Sequence, residues 1–165
     1  MPSVAARILK KLRDRLDAID GGVDFNNDLQ GRIFLSRPTY DADEERLPAV
    51  FLSRRIGGGT TREQTPGKSE LSTTTVVFDA IGVIAIGGSC AVDAEDLLAD
   101  LHRALEVPDD LYLRDEQLGK NLLSQELQIT DVEFNVPEAE IPVVLVSVSI
   151  SCTYPHKYGD PDYVQ

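Results

Sequence analysis

The chain has 165 residues, 42% hydrophobic and 27% charged, enough for one domain with a real core. Sixteen Lys and Arg stand against 28 Asp and Glu, a net charge of -12 that argues against a nucleic-acid coat or a binder of anionic lipid. No apolar run approaches the ~20 residues of a membrane span, the N-terminus lacks a signal-peptide pattern, and two cysteines make no disulfide framework, so a reducing cytoplasm is expected.

The first expected element is an amphipathic helix. Val4, Ile8, Leu9, Leu12, Leu16 and Ile19 share one face, Ser3 is the N-cap, and Gly21-Gly22 ends the run. Its basic sides would suit a membrane surface, but the stripe holds no Trp or Phe, so core packing is preferred. Residues 31–38 read as a short strand closed by Pro38, and 47–56 as a second strand. Between them lies an acidic loop, 40–45. Residues 57–69, rich in Gly, Thr and charge, read as a flexible loop of functional length.

Residues 71–86 have strong β propensity, with Gly82 as a bulge or bend. A second helix is expected from an Asp93 N-cap, with Leu97, Leu98, Leu101, Ala104 and Leu105 as its apolar face and Pro108 as its stop. Residues 109–122 read as irregular or briefly helical. Residues 127–134 alternate at period two, and the last strand does so most clearly. There Val144, Val146, Val148, Ile150, Cys152 and Tyr154 face one way, and Ser147, Ser149, Ser151 and Thr153 the other. Residues 155–165 read as an extended arm. The order predicts a single α+β domain over 1–165: a mostly antiparallel sheet with two helices packed on one face.

Motifs for chemistry are sparse. Gly67-Lys68-Ser69 ends like a phosphate loop, but Arg62 occupies the position of the first glycine, and a strand follows where a helix is needed. His102 and His156 have no metal spacing. Cys90 precedes a helix without a visible base, and Cys152 falls on an apolar face. The acidic pairs Asp109-Asp110, Asp115-Glu116 and Glu138/Glu140 lack calcium-loop spacing and read as solvated. No cofactor, metal or catalytic residue is expected, and the chain is not read as an enzyme.

The order of elements, the Pro48-Ala49-Val50 strand start, the Ala99-Asp100-Leu101-His102-Arg103-Ala104-Leu105 helix and the Tyr158-Gly159-Asp160-Pro161 tail resemble the tail terminator proteins of tailed bacteriophages, also called minor tail or tail completion proteins. The resemblance spans nearly the whole chain. It implies a virion protein of the tail neck, assembled in the host cytoplasm. It implies a homo-hexameric ring on the head-proximal end of the tail tube, bound by tube protein on one side and the head connector on the other. DNA would pass through without being held. A head–tail connector or neck subunit is the nearest alternative; a small cytosolic binding module and a hydrolase are more distant ones.

Charge is uneven along the chain: residues 1–68 balance to +2 and residues 69–165 to -14. With a ring, this suggests an acidic lumen that keeps phosphate from binding, with Asp93, Glu95, Asp96, Asp100, Asp109 and Asp110 as candidates. Arg54, Arg55, Gly58, Arg62, Lys68, Tyr158 and Asp160 are the candidate assembly contacts.

Overall fold

The fold is described from a computed structural model, over residues 3–36, 47–55, 60–64, 71–106, 114–115, 121–122, 126–137 and 142–157. Helix α1 spans Val4–Asp17. Ser3 Oγ accepts a bond from the Ala6 N–H at 3.4 Å, capping the first turn. Val4, Ile8, Leu12 and Leu16 are buried on one face. The helix ends at Ala18, ahead of the glycines. Gly21, at φ +67°, instead serves the turn that brings Asp28 back beside Asp20.

Strand β1 is only Ile33–Phe34, and it lies parallel to β2, Ala49–Arg54. Ala49, Val50, Phe51 and Leu52 are all buried, so β2 is covered on both faces. β2 runs antiparallel to the 15-residue strand β4, Leu71–Ala85. The expected 57–69 loop is corrected in its middle: Thr60–Gln64 form a strand, β3, paired antiparallel with β4 from Val76 to Ser72. Its five residues are all exposed, so no hydrophobic alternation marked it as a strand. β2 and β3 thus occupy successive stretches along the same side of β4.

Helix α2 spans Cys90–Leu105, with Ser89 at the N-cap position, four residues before the expected Asp93 cap. Asp93 lies inside its first turn and accepts a bond from Ser89 Oγ at 2.9 Å. β5 (Arg114–Asp115) and β6 (Asn121–Leu122) form a separate two-stranded sheet. β7 (Glu126–Asn135) pairs antiparallel with β8 (Val143–Lys157), and β8 pairs along its full length with β4. β8 continues through Pro155 to Lys157, so the expected arm contributes its first three residues to the sheet. The rest of that arm lies outside the described residues.

The result is a six-stranded, open, mostly antiparallel sheet of order β1-β2-β4-β8-β7, with β3 beside β4. Both helices pack on one face, as the sequence predicts. Their core joins Ile8, Leu12, Leu16, Leu97, Leu101 and Leu105 to Val50, Leu52, Phe78, Val146, Val148 and Ile150. Each fully buried leucine contributes about 2 kcal/mol of transfer free energy. Gly82 is not a bulge, for the β4 register runs through it unbroken on both sides. It is the seat of α2: a Cβ there would lie 2.5 Å from Leu97 Cδ2. The bulge falls in β7, where Thr130 is the extra residue between Ile129 and Asp131.

A second, smaller cluster occupies the opposite face. Ala49, Phe51, Val83, Val143 and Leu145 are buried there, with Phe34, Leu47 and Ile81 packed against them. The Phe34 and Phe51 rings stack with centroids 5.3 Å apart. The serine side of β8 therefore turns apolar at its start, where Val143 and Leu145 replace hydroxyls.

Candidate functional site

Beyond that apolar cluster, the helix-free face of the sheet is polar. Antiparallel partners share a face, so the registers place Ser53, Asp79, Ser147, Ser149, Asp131 and Glu133 side by side on it. Arg55 follows β2 and donates its N–H to the Val77 carbonyl at 3.0 Å, which sets its side chain on the same face as Asp79. The guanidinium grips Asp79 through two bonds, Nη2 to Oδ1 at 2.7 Å and Nε to Oδ2 at 3.1 Å. Arg55 Nη2 also donates to Ser149 Oγ, and Ser149 Oγ donates to Asp79 Oδ1 at 3.0 Å. This network ties β2, β4 and β8 together across the sheet.

The hydrogen bond to Asp79 is the main reason the Arg55 pKa rises above its ordinary value; desolvation opposes it, and the charges of Asp79 and Asp131 add to it. A shallow depression lined by Arg55, Asp79, Ile81, Asp131, Glu133, Ser147 and Ser149 crosses the face. Further along it, the Thr75 and Thr153 hydroxyls bond at 2.9 Å. This surface offers hydroxyls, carboxylates and one arginine already held by a carboxylate. Among the described residues, no group of three or more His, Cys, Asp or Glu is placed to hold a metal.

The candidate assembly residues divide. Arg54 Nη2 donates to Thr60 Oγ1 at 2.6 Å, bracing the end of β2 against the start of β3. Arg55 belongs to the network above. Arg62 stands exposed on β3, on the helix-side face opposite Thr74. Near it, Tyr154 is held above its usual pKa, mainly by burial, while the charges of Arg54 and Arg62 pull the other way. Gly58, Lys68, Tyr158 and Asp160 lie outside the described residues, as does the Gly67-Lys68-Ser69 segment.

The described acidic candidates divide between the outer sides of α2 and its buried face. Asp93, Glu95 and Asp96 sit on α2, on the other side of the sheet from the polar face. Asp100 is corrected: it is 0% exposed and cannot line a solvent channel. Its carboxylate accepts from the Asn26 N–H at 3.0 Å, the Asn27 N–H at 2.9 Å and both side-chain amides, at 3.1 and 2.8 Å. Arg103 Nη1 adds a bond at 3.2 Å and another, at 3.0 Å, to the Asp24 carbonyl. Asp100 thus pins the 24–27 loop to α2. Asp109 and Asp110 lie outside the described residues, as do Glu116, Glu138 and Glu140.

Cys152 is buried in the core as expected, and Cys90 is half-buried in the first turn of α2. His102 bonds Glu106 at 3.1 Å on the surface. Asp79, Asp131, Glu133 and Ser149 were not distinguishable as a group in the sequence. Only the strand registers, joining residues from three strands, bring them together with Arg55.

The outer sides of β7 at one edge and of β3, which shares the other edge with β1, form the other exposed feature. Among the described residues, nothing pairs with the outer side of β3 or of β7. Phe134 and Val136, in and just past β7, are 44% and 63% exposed. Unpaired edges of this kind present rows of free N–H and C=O groups. No protein-family model matches the chain, and no characterised sequence matches it significantly. Among the described residues, no helix is long and apolar enough to cross a membrane.

Proposed function

We propose that this chain is a phage tail terminator: a structural subunit that closes into a ring on the head-proximal end of the tail tube, stops tube growth and forms the joint to the head connector. The observation that carries the reading is the pair of sheet edges. β4 and β7 run one way, and β3 and β8 run the other. The outer strands β3 and β7 are therefore antiparallel to each other. Copies laid edge to edge in one direction would extend a single antiparallel sheet, always with the same face inward. Such head-to-tail contacts generate rings when the rotation closes. The helices would face outward, and the Asp79–Ser149 face would face the bore. The acidic lining expected of a DNA passage then falls to Asp131 and Glu133, with the α2 carboxylates outside.

This reading needs no catalytic residue, cofactor or metal. Assembly rests on interface area and ring closure. The test is negative-stain imaging of the purified protein, alone and mixed with tail tubes. Rings seated at tube ends, with tube length held fixed on further addition of tube protein, are the expected result. Rings found only on head connectors would assign the chain to the neck instead. A monomer without affinity for tubes would remove the virion reading altogether.

A further inference from the structure

We infer that the subunit contact is a specific strand addition, β7 of one copy onto β3 of the next, in a register the two edges themselves select. The inference rests on the ring reading above and names its interface. It starts from which backbone groups of β3 are free. The Arg55 N–H bonds the Val77 carbonyl, so the odd residues of β4 turn their backbone groups toward β2 and β3. Thr61 and Glu63, opposite Thr75 and Thr73, are then the hydrogen-bonded partners of β4. Thr60, Arg62 and Gln64 turn their N–H and C=O groups outward.

The faces restrict the register next. Thr61 and Glu63 share the polar face with Asp131 and Glu133, and across the bulge with Gln128. Setting Thr61 opposite the neighbour's Asp131 puts Glu63 opposite Gln128 and all five residues of β3 against β7, from Val132 to Leu127. A shift of two residues one way opposes Glu63 to Asp131, two like charges directly across a ladder. A shift the other way runs Gln64 off the start of β7.

Two independent features agree with that register. Beyond Thr60 the next level on the same edge is Arg55, beside Val77, and it meets Glu133 of the neighbour on the shared polar face. Arg55 is 39% exposed and its five N–H donors are not exhausted by Asp79 and Ser149. Glu133 is exposed and forms no ion pair among the described residues. The edge is also stepped, because β1 projects outside β2. In this register β7 ends, at Asn135, level with Asp79 of the neighbour; β1 ends at Phe34, level with Ile81, so the two strands stop two levels apart.

The same register fixes how the sheet closes. Within a copy, Arg62 lies level with Tyr154; against the neighbour it lies level with Ile150, a stagger of four residues over four strands. At ~3.3 Å per residue and ~4.8 Å per strand, that is about 13 Å over about 19 Å, a tilt of about 35°. Closed barrels have tilts of about 35–45°.

The test uses the full chain with Cys90→Ser, carrying Thr61→Cys and Asp131→Cys together or singly, alone and with tail tubes. Oxidation of the double variant is expected to give a ladder of covalent oligomers ending at the ring, and neither single variant is expected to give it. Arg62→Pro removes an outward N–H and the exposed guanidinium but no hydrogen bond to β4, so it is expected to keep the wild-type melting temperature and lose at least 90% of the oligomer, which Arg62→Ala is expected to keep. Intact rings without cross-links, or an Arg62→Pro protein that still forms rings, would overturn this interface and leave the terminator reading standing. Cross-linked rings that Arg62→Pro disperses, but that never cap tubes, would uphold the interface and end the terminator reading. No cross-link and no ring under either condition would overturn both.

Discussion

Asp100 shows how a residue type misleads when its surroundings are seventy residues away. Aspartate inside an acidic helix reads as solvated. Helical spacing carried the contrary signal, since Asp100 falls three residues after Leu97 and four before Ala104, on the buried face. What no local pattern contains is the Asn26-Asn27 loop that satisfies it. Replacing Asp100 by Ala leaves two backbone N–H groups and two amides without their acceptor. A loss of about 3 kcal/mol is expected, read as a lower urea midpoint at unchanged slope. Asp100→Asn, which keeps the shape and some acceptors, is expected to lose less.

Tyr154 supplies a residue-scale pH dependence. Its folded pKa lies above the ordinary 10.0, with burial as the main cause. The folded state therefore holds the proton more tightly than the unfolded chain. The corresponding stability is intact below pH 10 and is lost as pH rises toward and through the folded value. Thermal melts between pH 9 and 11 are expected to show this extra alkaline loss in the wild type and not in Tyr154→Phe. Equal losses in both would remove Tyr154 as the cause.

Among elements, the strands with an apolar face were legible and β3 was not. β4 and β8 alternate at period two, and burial follows it. β3, with the sequence Thr-Thr-Arg-Glu-Gln, has no residue to bury and is a strand only because β4 extends far enough to pair with it. The helix α2 depends on the sheet in a way the sequence inverted. Gly82 looks like a break in β4, yet its missing side chain makes room for Leu97. Gly82→Ala is expected to cost about 1–3 kcal/mol through overpacking, although alanine favours neither bend nor bulge. The double variant Gly82→Ala/Leu97→Ala is expected to lose less than the sum of its parts, a coupling measurable by chemical denaturation. Additive losses would mean that the two residues are not the contact that seats the helix.

At the scale of the whole molecule, the charge asymmetry acquires a direction only through the fold. The sequence assigned the acidic excess to α2 and its flanking loops. The α2 carboxylates stand on the helix side, and the sheet also collects Asp79, Asp131 and Glu133 on the face away from the helices, with Arg55 held among them. The overall -12 then opposes assembly, because neighbours in a ring repel. A rim pair such as Arg55 with Glu133 offsets little of that, about 0–1 kcal/mol for an exposed pair. In the proposed interface, attraction would come mainly from backbone pairing between β3 and β7, which salt hardly touches, whereas repulsion between copies would be screened. The screening length falls from about 30 Å at 0.01 M to about 8 Å at 0.15 M ionic strength. Ring formation is therefore expected to strengthen as salt rises over that range, read by sedimentation velocity as a growing oligomer fraction at fixed protein concentration. A ring held by cross-subunit ion pairs would show the opposite trend, and dissociation on adding salt would transfer the interface energy from the strand edges to charge.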